Sequence, residues 1–366
     1  LQILYFFVYS CRKETEAQLV FPRKPVTLYR KPEIPSPVTT PTIKGNIMSK
    51  NFKSMLIRSE HNPLFRPEDF PYGAAEQVFN PGQVMTPDGR TILLLSVTMR
   101  NERFARCHVA ESRDGIHFDI HEKPLFEVDE TRRFGNLDFH PIDCRVTWFP
   151  EDQCYYIMRP ANSGWGCCAL LYRTTDFLSA EPIEIIALPH NRVPCLFPEK
   201  INGEYVRLDR PYSLGAPYEK SWAHIWISRS PDLIHWGEYR PLLQRDFMVW
   251  NNLKIGPTVP IRTEKGWLEI IHGVQNTFTG FRYSLGALML DLENPEKIIG
   301  LMNRYLLTPE MEYEHCGVIP EVVFATGAIA DFKTRELRIY YGGADTTTNL
   351  ATGNLDEIID GCLKGI

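Results

Sequence analysis

Five strand-like runs in this chain each end in a turn that carries an aspartate, and the five aspartates fall at nearly even intervals. The runs are RCHVAESRDGIHF, CALLYRTTDFLS, AHIWISRSPDLIHW, SLGALMLDLENPEKI and LATGNLDEII, and Asp114, Asp176, Asp232, Asp291 and Asp356 are separated by 62, 56, 59 and 65 residues. Each interval has room for four short strands and their turns. A unit of about 60 residues repeated five times predicts an all-β fold, a five-bladed β-propeller whose blades pack radially and leave only short, protected edges. Period-2 alternation persists between the repeats, as in Leu337-Arg338-Ile339-Tyr340-Tyr341, and long helical stripes are absent. A pair of β-sandwiches also supplies many strands but gives no reason for a strand-Asp-turn signature at constant spacing.

The 28 prolines, 24 glycines and 12% aromatic residues suit a turn-rich β protein of this length. A net charge of -5 and a pI near 6.1 offer no basic footprint, so nucleic acid is excluded as an expected partner. Nine cysteines form no CxxC or Cys/His ligand spacing and read as free thiols of a reducing compartment, with neither zinc nor a disulfide framework implied. Residues 1–50 read as an apolar segment followed by a Pro-rich linker, and residues 51–366 as the propeller. The apolar start, LQILYFFVYSC, is too short to span a bilayer. Its Val8-Tyr9-Ser10-Cys11 loosely resembles a lipoprotein cleavage box, which would put the protein in the periplasm or on a lipid anchor. The missing initiator Met and basic n-region speak against this, and Met48 is an alternative start.

Candidate site residues are polar positions set against apolar strand patterning, drawn from several blades because a propeller builds its site where inner strands meet the central channel. In PHNRVPCLFPEKINGEYVRLDRP, Asn202-Gly203 predicts a tight hairpin turn that brings Arg192 and Arg210 together at the open end. Two guanidinium groups side by side make sense around an oxyanion. Asp209 is adjacent and is expected either to neutralise one of them or to line the site. Asn80 in VFNPGQ, Asp143 and Arg145 in IDCRVTWF, Lys254 in NLKIGPT, His272 in EIIHGV and Asp345 in YYGGADTTT complete the set. Asp143 and Arg145, two apart, are expected on one strand face, where an Asp–Arg pair tying two blades together is the competing reading. Arg192, Arg210, Lys254 and His272 are able to converge into one anion pocket beside a carboxyl group.

These segments resemble glycoside hydrolase family 130, the inverting mannoside phosphorylases and related mannosidases. The resemblance covers roughly residues 56–360 and rests on FNPG, SRDGIHF, SPDLIHWG, DCRV, NR at 191–192, LFPEKINGEY, LDRP, KIG, GWLEIIHGV, RYSLGALMLDLENP and YYGGADT. It implies a five-bladed propeller, with Asp143 as the single catalytic acid and Arg192, Arg210, Lys254 and His272 around inorganic phosphate. It further implies that Asn80 and Asp345 hold the mannosyl unit and that Phe281 and Tyr283 lie near the leaving sugar; Arg145 and Asp209 are expected in the substrate site from their own strand context. Ser96 stands where many members carry arginine, and Val193 where several phosphorylases carry Asn.

The implied activity is cytoplasmic, inverting phosphorolysis of a β-mannoside to α-mannose 1-phosphate, with phosphate as co-substrate and no cofactor or metal. A homo-oligomer is compatible with it. The alternatives are an inverting β-mannosidase using Glu199 or Glu321 as base and a glycan-binding propeller without turnover.

Overall fold

In the computed structural model the described residues are 54–126, 134–135, 137, 140–212, 223–278 and 280–365. The readings of residues 1–50 lie outside them. Five antiparallel sheets follow one another along the chain, and their innermost strands are Ala75–Met85, Arg145–Phe149, Asn191–Leu196, Lys254–Pro257 and Val323–Ala325. This is the five-bladed propeller expected from the repeat.

The aspartate signature has a geometric cause. In the first four blades it follows the third strand, where the carboxylate accepts backbone N–H groups two or three residues on: Ile116 and His117 for Asp114, Leu178 for Asp176, Ile234 and His235 for Asp232, Glu293 and Asn294 for Asp291. Such Asx turns feed the chain into the fourth strand. The fifth repeat differs. Its fourth strand is Ile57–Arg58, which pairs with Thr347–Asn354 and closes the ring with the N-terminal end of the domain. The chain after the third strand is therefore free to form the helix Leu355–Lys364, and Asp356 sits in its first turn, paired with Arg335.

Each blade buries both faces, so its strands read as nearly continuous apolar runs. In Thr91–Met99, Ile92 and Leu94 pack toward the second blade with Val146 and Ile157, whereas Leu93 and Leu95 pack toward the fifth with Tyr340 and Leu350. Comparable clusters fill the other three seams. Each fully buried leucine contributes roughly 1.5–3 kcal/mol, so the seams fix the blades around the axis. A smaller cluster of Val193, Val322 and Phe324, with Tyr283 against it, joins the third, fourth and fifth blades.

Candidate active site

The inner strands depart from regular geometry at one level. The first-blade strand is bulged between Phe79 and Gly82, and the third-blade strand between Arg192 and Cys195. Five non-glycine residues there or at neighbouring strand ends adopt left-handed backbone: Asn80 (φ 43°), Asp143 (54°), Val193 (54°), Ala344 (45°) and Asp345 (47°). Each such residue costs on the order of 1–3 kcal/mol. Bulges and left-handed residues re-aim side chains, and here they turn one polar group after another from four blades toward a common point.

Asn80, Asp143 and Asp345 form the carboxyl side of that point. Asn80 Nδ2 donates to Asp143 Oδ1 at 3.0 Å and to Asp345 Oδ1 at 3.5 Å. Ser96 locks the arrangement: its Oγ accepts from the Asp143 amide at 3.0 Å and donates to the Asn80 carbonyl at 3.3 Å. Gly342 is required beside them, since a Cβ there would lie 1.9 Å from Asn80 Oδ1. Burial and then the Asp143 charge push the Asp345 carboxyl up to about 7, against the pull of Asn80 and Lys254. It keeps its proton to near neutral pH.

The cationic side grows from the hairpin. Asn202 and Gly203 make the two-residue turn (φ 56° and 85°), which sets Arg192 directly opposite Arg210. Arg210, 6% exposed, has its pKa lowered to about 10, first by burial and then by Arg192. Its Nη1 meets His272 Nε2 at 2.8 Å. A guanidinium carries no acceptor, so Nε2 accepts and the imidazole proton resides on Nδ1. His272 is thus neutral, in keeping with the downward push of burial and of Arg210, Arg145 and Lys254 on its pKa. Lys254 stands over the Tyr283 ring at 4.8 Å, and its pKa falls to about 7 through burial and then through Arg210 and Arg192, opposed by Asp345 and Asp143. These mutual influences bring Asp143, Asp345, Arg192, Arg210, Lys254 and Tyr283 into one pocket.

One predicted residue, Asp209, lies apart. Asp209 points to the opposite strand face from Arg210 and neutralises neither clamp arginine. It accepts from Arg207 Nε at 2.9 Å, Ser228 at 2.8 Å and Asn191 at 3.1 Å, and Arg207 and Asp209 are both buried. Arg145 is 1% exposed, with its guanidinium 5.6 Å from the Phe324 ring, and acts on Arg210 and His272 as a charge within the core. Phe281, half exposed, is two residues outward from Tyr283 on the same strand face. The two spare glutamates are engaged: Glu199 with Arg262 at 2.9 Å, and Glu321 with Arg282 at 2.7 Å and His315 at 2.6 Å. Burial alone would raise Glu321, but those two partners bring it below the usual carboxylate range. No cluster of His, Cys, Asp or Glu suited to a metal occurs among the described residues. The sequence reading missed Asn162, which accepts from Arg192 Nη2 at 2.5 Å. It also missed the bracing role of Ser96.

A propeller site with one carboxyl cluster beside a grouped set of cations has the chemistry to hold an anion next to a proton-donating group. The sequence profile of the family described as beta-1,4-mannooligosaccharide phosphorylase matches residues 57–364. The beta-1,4-mannooligosaccharide phosphorylase of Ruminococcus albus is 32% identical over 339 residues, 90% of this chain and 97% of that protein. The beta-1,2-mannobiose phosphorylase of Listeria innocua is 37% identical over 255 residues, 69% of this chain and 67% of that one. The solved structure of the Listeria innocua beta-1,2-mannobiose phosphorylase with beta-1,2-mannobiose superposes with a TM-score of 0.73 at 30% identity, covering 84% of this chain and 99% of the other. The chain belongs to glycoside hydrolase family 130.

Proposed function

We propose that the protein is an inverting β-mannoside phosphorylase. The observation that carries this reading is the pairing of one carboxyl cluster with a cationic clamp that has no ion-pair partner among the described residues, while Glu199 and Glu321 are held in ion pairs of their own. An inverting hydrolase needs a second carboxylate to activate water. Phosphate is already an anionic nucleophile and needs positioning and charge stabilisation instead.

In this mechanism Asn80 and Asp345 hold the mannosyl unit, and Tyr283 and Phe281 line the path of the leaving sugar. Arg192, Arg210 and Lys254 grip phosphate on the face opposite the glycosidic oxygen, with His272 behind Arg210. A phosphate oxygen bonds to the anomeric carbon as the C–O bond to the leaving sugar breaks, and Asp143, in its protonated form, gives its proton to the departing oxygen. The products are α-mannose 1-phosphate and a sugar with a free reducing end. Asp209, committed to Arg207, supports the hairpin from behind. Phosphate is the co-substrate, and the reaction needs no metal or cofactor.

We further infer a cytoplasmic location, where a phosphorylated product is retained. The eight described cysteines are free and seven of them are buried, in keeping with a reducing compartment. No helix among the described residues is long and apolar enough to cross a membrane.

The test is to incubate the enzyme with β-1,4- and β-1,2-linked mannosides with and without inorganic phosphate. Phosphate-dependent release of a sugar phosphate supports phosphorolysis and identifies the linkage. Free mannose released at a rate indifferent to phosphate overturns it.

A further inference from the structure

The two clamp arginines are held in place by groups that carry no charge. Arg192 Nη2 donates to the Asn162 carboxamide oxygen at 2.5 Å, and Arg210 Nη1 to the neutral His272 ring at 2.8 Å. The other groups acting on Arg192 at close range are Tyr212 and the Cys167 thiol, alongside the Asp143 charge. Burial raises the pKa of both Tyr212 and Cys167, so they stay protonated and neutral. Neither arginine forms an ion pair among the described residues. Three residues before Arg210 on the same strand, by contrast, Arg207 Nε is ion-paired with Asp209 at 2.9 Å. The same hairpin therefore contains a neutralised arginine in the core and two arginines at the pocket whose charge is left free.

A carboxylate is the stronger and more common holder of a guanidinium, and an aspartate at position 162 would fit the same space. It would also cancel the charge that an incoming anion needs. Asn162 lies on the second blade, at the end of the strand Cys154–Ser163 and in register with Cys167. Cys167 in turn has its sulfur 3.5 Å from the Asn191 carbonyl of the third blade. The contact from Asn162 to Arg192 thus bridges two blades and fixes the angle of the guanidinium from outside its own hairpin.

We propose that Asn162 is a positioning residue for phosphate, aiming Arg192 into the anion site without neutralising it, as His272 does behind Arg210. The inference rests on the phosphorolysis reading. Its test uses the full-length enzyme and two variants, Asn162→Ala and Asn162→Asp. Initial rates are measured against phosphate at saturating mannoside, and against mannoside at saturating phosphate. The phosphate-induced rise in unfolding temperature, recorded without mannoside, gives a readout independent of turnover.

Removing a hydrogen bond to a charged group predicts a KM for phosphate about 10-fold higher in Asn162→Ala, with the mannoside KM little changed. Asn162→Asp retains or exceeds the wild-type unfolding temperature because it ion-pairs with Arg192. It nevertheless raises the phosphate KM further than alanine does and loses most of the phosphate-induced stabilisation. A merely structural role for Asn162 predicts the opposite order, with Asp close to wild type and Ala impaired in both KM values, and that result overturns the proposal alone. A wild-type enzyme whose rate is indifferent to phosphate overturns the phosphorolysis reading, and the proposal with it.

Discussion

Gly256 has no special backbone conformation, yet it is the position where the smallest change reaches furthest into the clamp. It pairs with His272 across the fourth blade, and a Cβ built on it lies 2.3 Å from His272 Cε1, 2.6 Å from Nε2 and 3.0 Å from Arg210 Nη1. Carbon atoms in contact sit about 3.5–4.0 Å apart, so in Gly256→Ala the ring must move by about an ångström. His272 is fully buried against Phe324, with the ring centroids 4.7 Å apart, and has little room to do so. Overpacking of this kind costs ~1–3 kcal/mol. Stretching the 2.8 Å contact with Arg210 by an ångström removes a charge-assisted hydrogen bond worth ~1.5–3 kcal/mol. The variant is expected to unfold several degrees below wild type and to need about 10-fold more phosphate for half-maximal rate, with the mannoside KM largely kept. Thermal unfolding and two-substrate kinetics on the same preparation check both numbers. Wild-type phosphate KM in a correctly folded Gly256→Ala enzyme would refute the idea that His272 supports the clamp through Arg210.

Three further outcomes follow from the same geometry. Lys254, with its pKa at about 7, loses its charge as pH rises above neutrality while Asp345 gains one, so both changes weaken anion binding. The KM expressed as phosphate dianion is expected to climb between about pH 7 and 8.5 and to lose most of that dependence in Lys254→Met; a flat profile in wild type contradicts the assignment. Asp209→Asn leaves Arg207 buried without its counter-charge and is expected to cost about 3–5 kcal/mol of stability in denaturant unfolding, with the phosphate KM changed little. Phe281→Ala removes a half-exposed ring at the pocket rim and is expected to leave unfolding within about 0.5 kcal/mol of wild type, while raising the mannoside KM and sparing that for phosphate.

Architecture was the most legible level of this sequence. The Asp-turn signature marks the end of the third strand in four of the five blades because the turn chemistry is local, and Asn202-Gly203 sets Arg192 against Arg210 for the same reason. Closure of the ring was not legible, since a two-residue strand at Ile57–Arg58 leaves no pattern and its pairing partner lies almost 300 residues away. That missing strand also explains why Asp356 read as a turn and proved to be helical. The pocket residues stood out as polar breaks in apolar strands, but alternation decides which way each one faces. Asp209 and Arg210 are neighbours in sequence and serve opposite faces, one closing a buried ion pair with Arg207 and the other meeting His272. Bulges at Asn80 and Val193 shift that alternation locally and leave no signature in the one-letter code. Ser96 and Asn162 reach across blades through hydrogen bonds to groups 47 and 30 residues away, so nothing in their local sequence distinguishes them from ordinary strand or turn residues.

In the proposed reaction, phosphate held by Arg192, Arg210 and Lys254 attacks a β-mannoside while Asp143 supplies the proton. The most direct measurement is proton and phosphorus NMR of the first product formed from a β-linked mannoside in phosphate buffer, for the wild type and for Asp143→Asn. α-Mannose 1-phosphate is expected as the initial product, its formation falling by about a thousandfold or more in the variant. Free mannose as the initial product, or a β-configured phosphate, would contradict it.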